Sequence, residues 1–82
     1  MSLTVWYRFE RETADMSGAG PIHSILGQAN VRKYAICSLD FRLYTLGLTA
    51  PLTDTLLTEI SHKAREQGFE VSGPYDTFPR NF

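Results

Sequence analysis

Cysteine is nearly absent: Cys37 stands alone among 82 residues, which excludes an internal disulfide framework and a multi-cysteine zinc site. A basic excess is also missing. Eight Lys+Arg face nine Asp+Glu, leaving a net charge of −1, whereas a generic polyanion binder carries a surplus of cations. No apolar run approaches the roughly 18 residues that span a bilayer. The opening Met1-Ser2-Leu3-Thr4 lacks the basic and apolar regions of a secretory signal. These absences lead us to expect a soluble protein in a reducing, cytoplasmic setting with no membrane partner. What is present is globular in character, 43% hydrophobic and 21% charged. Residues 1–82 are expected to form a single domain, near the size at which one core becomes marginal.

Leu3, Val5, Tyr7 and Phe9 alternate with Thr4, Trp6, Arg8 and Glu10, the period of a strand with one apolar face. A longer alternation runs through Ala35, Cys37, Leu39, Phe41 and Leu43. Its other side carries Tyr34, Ile36, Ser38, Asp40, Arg42 and Tyr44. No Gly, Pro or Asn interrupts residues 31 to 46, so the pattern predicts one long strand, with a bend or bulge possible at Ser38-Leu39-Asp40. Residues 49 to 68 predict the main helix, with Thr49 or Ala50 as N-cap and Pro51 in the first turn. Leu52, Leu56, Leu57, Ile60 and Ala64 form its apolar stripe, and Gly68 is its left-handed stop. Phe69, Val71 and Gly73 predict a short third strand closed by Gly73-Pro74. Ile22, Ile25 and Leu26 could line a short helix ending at Gly27. The expected fold is therefore α+β: a small mixed sheet of about three strands in a split β-α-β arrangement, with one main helix on one face.

That arrangement has a consequence for the uncovered face. If the helix covers the Tyr7, Phe9, Cys37 and Phe41 side, the reverse side displays Trp6, Arg8, Tyr34, Ile36, Arg42 and Tyr44. Aromatics and Arg are enriched at interfaces, and an exposed patch of them points to a partner, a second subunit or a ligand. The competing expectation is that residues 13 to 30 fold across this face and bury it. A domain this small gains from association, so a homodimer through sheet faces or edges is also expected to be favourable.

Catalytic signatures are sparse. Gly18-Ala19-Gly20-Pro21-Ile22-His23 begins like a dinucleotide loop but has His at the sixth position, and no phosphate-loop Lys-Ser/Thr ending occurs. His23 and His62 lack a neighbouring ligand motif, and Cys37 reads as a small buried hydrophobe without an adjacent base. No enzyme, cofactor or metal is implied. Trp6, Tyr34, Tyr44, Arg8 and Arg42 could stack single-stranded bases on a sheet platform. Residues 31 to 48 hold three cations against Asp40, a local excess of +2. Backbone affinity needs more cations than that.

The segment Ala64-Arg65-Glu66-Gln67-Gly68-Phe69-Glu70-Val71-Ser72-Gly73-Pro74 resembles the helix-to-strand junction of the ribosomal S-ten family, and the likeness extends over residues 41–74. The resemblance implies a split β-α-β topology and contacts with RNA or a transcription-factor partner. The family's basic tip after Gly-Pro is replaced here by Tyr75-Asp76-Thr77-Phe78-Pro79, and no binding residue is carried over. The sequence reading is a non-enzymatic module that binds a macromolecule, foremost a protein, as an adaptor, subunit or inhibitor. A single-stranded RNA- or DNA-binding or ribosome- or transcription-associated module is the alternative.

Overall fold

A computed structural model describes residues 3–12, 19–40 and 42–78. The chain runs β1 (Val5–Glu10), α1 (Gly20–Gln28), β2 (Ala35–Asp40), β3 (Leu43–Leu48), α2 (Asp54–Glu66) and β4 (Glu70–Tyr75). The four strands form one sheet in the order β2-β3-β1-β4, with every neighbouring pair antiparallel. Each helix thus crosses between two strands that have a third strand inserted between them. This is a split β-α-β unit used twice, the ferredoxin-like connection. The α+β class is as the periodicity predicts, and so is β1 lying antiparallel between the strands that flank α2. The sheet has four strands rather than about three, and two helices rather than one.

The extra strand comes from the segment read as continuous. Residues 31–46 do not form one strand; β2 ends at Asp40 and β3 starts at Leu43, and the two pair as a hairpin with Ile36 opposite Leu46 and Cys37 opposite Thr45. The pairing slips between Ser38 and Asp40, where a bulge was anticipated. The turn carries none of the Gly or Asn residues that mark tight hairpins.

The inward face is also reversed along this hairpin. Tyr7 and Phe9 lie opposite Leu46 and Tyr44, so the even-numbered residues of β3 point to the helices. Tyr44 and Leu46 are each 1% exposed. Leu46 and Leu48 extend the even-numbered set into the more apolar of the two, and they lie beyond the stretch from which the face was read. Cys37 is accordingly exposed, not buried. The Leu39 side chain and Phe41, also expected inside, lie outside the described residues.

Both helices cover the same face. Ile22, Ile25 and Leu26 of α1 join Ile60 and Ala64 of α2 in one cluster with Tyr7, Phe9, Tyr44, Leu46, Leu48 and Phe69. Helix α2 begins later than expected: Thr53 is the N-cap, its hydroxyl accepting from the Leu56 N–H at 3.2 Å. Pro51 belongs to the connection, where the Leu52 N–H donates to the buried Tyr7 hydroxyl at 3.0 Å. Gly68 ends α2 at φ 85°, with the Phe69 and Gly68 N–H groups returning to Ala64 and Arg65. Asn30, not Gly27, plays that part for α1, at φ 62°, with Val31 N–H returning to Leu26. The expected third strand extends past Gly73-Pro74 to Tyr75 by way of a register shift opposite β1.

Candidate functional site

The sheet face away from the helices is built from alternate residues of the strands. On β1 these are Trp6, Arg8 and Glu10, which lie opposite Gly47, Thr45 and Leu43 of β3. Ala35 and Cys37 of β2 continue the rows on one side, and Ser72 and Tyr75 of β4 on the other. Neither helix lies on this side, because α1 and α2 both pack into the cluster on the reverse face.

Trp6 organises the face. Its indole lies over Gly47, so closely that a β-carbon on Gly47 would overlap the ring, with Cε3 at 2.9 Å. Phe78 meets the indole edge-on at 5.2 Å between centroids. Trp6 is half-buried as a result. Next along the strand, the Arg8 guanidinium pairs with Glu10 at 2.9 Å, a contact between side chains on the same face. Across that row Thr45 is only 2% exposed and Leu43 8%. The centre of this face thus combines buried Thr45 and Leu43 with half-buried Trp6 and Arg8. At the β4 margin the Tyr75 hydroxyl donates to Ser72 Oγ at 2.9 Å. An indole with one polar edge, beside a guanidinium, combines apolar area with oriented donors.

Of the six residues expected on this face, the fold brings only Trp6 and Arg8 together there. Tyr44 is a core residue, edge-on to Phe69 at 5.8 Å, and its buried hydroxyl has no hydrogen-bond partner among the described residues. Ile36 is half-buried on the helix side, packed against the core. Tyr34 precedes β2 and also packs against the core, its hydroxyl 2.7 Å from His23 Nδ1. Arg42 is exposed in the turn between β2 and β3. Tyr75 and Phe78 were missed because they follow Gly73-Pro74, where strand pairing was expected to stop. Residues 19 to 30 form α1 and its flanks on the helix side, so they do not cross the Trp6 face; 13–18 lie outside the described residues.

No catalytic constellation assembles from the residues considered earlier. His23, on α1, meets the Tyr34 hydroxyl, and His62 is exposed on α2, 3.9 Å from Glu66. Both helices are on the opposite side of the sheet from Cys37. Among the described residues no group of three or more His, Cys, Asp or Glu could hold a metal ion. No helix among them is long and apolar enough to cross a membrane.

A concavity of about 600 Å³ opens between the end of β1 and the start of β4, with Glu10, Arg11, Glu12, Arg65 and Glu70 around its rim. Arg11 is 7% exposed, and its guanidinium carbon sits 4.5 Å from the Phe69 ring centroid. That cation is stacked on the core's aromatic cluster. Three carboxylates around it leave the rim without a cationic excess. No protein-family model, curated protein or solved structure matches the chain.

Proposed function

We propose that this chain is a non-enzymatic binding module that docks a protein partner on the Trp6 face of its sheet, acting as an adaptor, subunit or inhibitor. One observation carries the reading: the lone tryptophan stands on the helix-free face, seated on Gly47 and braced by Phe78. A sheet face facing only water has no need of so large a ring, whereas Trp and Arg supply most of the energy at protein interfaces. Arg8, held by Glu10, is the second anchor. The exposed thiol of Cys37 fits a reducing, cytoplasmic setting.

Single-stranded RNA or DNA, the alternative that an aromatic sheet platform suggests, is a weaker fit. Platforms of that kind stack two or three bases on neighbouring aromatics. Here Tyr34 and Tyr44 leave the face, and β3 offers it Leu43, Thr45 and Gly47. The net charge of −1 adds no counterion-release term of any size.

The test is capture from host cells with wild type, Trp6→Ala and His62→Ala side by side, followed by titration of the captured protein. Trp6→Ala should weaken binding by about 2 kcal/mol or more while His62→Ala, on the far side, leaves it unchanged. Equal binding by folded Trp6→Ala would refute the assignment. Retention of single-stranded nucleic acid that falls steeply with salt would favour the other ligand class.

A further inference from the structure

The helix-free face changes character along β1. At one end Trp6 lies opposite Tyr75 in the ladder and meets Phe78 edge-on. At the other end Glu10 lies directly opposite Glu70, and both residues are exposed. Residues directly opposite in an antiparallel pair share one side of the sheet, so Glu70 joins Trp6, Arg8 and Glu10 on this face.

Like charges directly opposite in a ladder cost stability, so the fold gains nothing from this pair. Arg8 answers one of the two carboxylates, Glu10, at 2.9 Å. Among the described residues Glu70 makes no ion pair. Exposed Glu12 lies with both on the rim of the concavity at this end. The neighbouring cations belong to the covered side. The Arg11 guanidinium stacks on Phe69, Arg65 is on α2, and Arg42 continues the ladder opposite Arg11, on the parity of Phe9 and Tyr44. The helix-free face is thus aromatic at one end and anionic at the other, with Arg8 between.

We infer that the partner lays a basic segment on this face, with an apolar side chain against Trp6 and a Lys or Arg between Glu10 and Glu70. The inference rests on the reading that a protein docks over Trp6, and it adds the partner's charge and spacing. Trp6 and Glu10 are four residues apart on β1, about 13 Å. In an extended segment the apolar residue and the cation are therefore also four apart. A cation set between the carboxylates gains from both and screens their mutual repulsion, whereas an acidic segment meets repulsion there. Because both carboxylates are exposed, the attraction weakens as salt rises.

The probe is a displayed library of random peptides selected on the immobilised full chain, with recovered sequences synthesised and titrated. Selection should enrich Lys or Arg four residues from a large apolar side chain. Binding of such a peptide should fall by about tenfold or more in Trp6→Ala and by about tenfold in Glu70→Lys. Glu70→Lys sets an ammonium group opposite Glu10, so it should unfold at the same or a higher urea concentration than wild type. Its loss of binding is then not a loss of fold. If Glu70→Lys does not fold, Glu70→Gln serves in its place, with a loss of about threefold. Neutral or acidic peptides that Trp6→Ala no longer binds would overturn the inference and leave the docking reading standing. Peptides indifferent to Trp6→Ala would overturn both. Failure to select any peptide, or basic peptides that bind Glu70→Lys as well as wild type, would overturn the inference. So would a full-chain dimer in sedimentation that Trp6→Ala dissolves, which gives the face to a second copy.

Discussion

On one side of the sheet Tyr7, Phe9, Tyr44 and Leu46 are each 1% exposed beneath two helices. On the other, to which neither α1 nor α2 belongs, Trp6 and Arg8 remain half-buried, with the indole over Gly47 and Arg8 opposite Thr45 in the ladder. The strands are the same, and adjacent residues of β1 serve opposite faces. On the covered side the Tyr7 hydroxyl takes the Leu52 N–H and the Arg11 guanidinium stacks on Phe69, while the Tyr44 hydroxyl has no partner among the described residues. The other side pairs Arg8 with Glu10 at the surface. Under the proposed function, fold and docking would be divided between faces of one small sheet, so substitutions should separate stability from binding by the parity of the strand position.

The largest expected effect is on the covered face. Phe9→Ala removes a ring that is 1% exposed and edge-on to Phe69. It should cost about 3–5 kcal/mol in urea unfolding, enough to unfold a domain this small. Ile60→Val, at a fully buried position on the same side, offers a milder version, about 0.5–1.5 kcal/mol. On the opposite face Gly47→Ala forces the indole off its seat. A loss of about 1–3 kcal/mol is expected, with a change in tryptophan fluorescence that Ile60→Val does not produce. A loss in Gly47→Ala as large as that in Phe9→Ala would erase the distinction between faces. The smallest effect has the opposite sign. Tyr44→Phe deletes a buried hydroxyl without a partner among the described residues, so unfolding free energy should stay constant or rise by up to about 1 kcal/mol. A clear decrease would show that the hydroxyl is satisfied in solution.

Much of this division was legible in the amino-acid order. Val5, Tyr7 and Phe9 alternate strictly, so β1 and its two faces could be read directly. The α2 stripe and Gly68 were equally plain, because a helix closed by a left-handed glycine depends on local backbone chemistry. The hairpin was not legible. Both parities of residues 35–48 contain large apolar side chains, and the turn at residues 41–42 has no residue specialised for positive φ. Which parity faces the helices is decided by Leu46 and Leu48 pairing beside Tyr7 and Val5, a contact remote in sequence. Two of the six surface residues therefore survive on the helix-free face, and the Tyr75–Phe78 margin could be recognised only once β4 was seen to continue beyond Pro74.

Trp6 is the sole tryptophan, so biosynthetic incorporation of 5-fluorotryptophan gives one fluorine resonance that reports on the proposed docking face alone. Titrating the captured partner into this labelled chain tests the central claim most directly. The account predicts that the resonance shifts or broadens in proportion to the bound fraction. Saturable binding that leaves the resonance unmoved would contradict it.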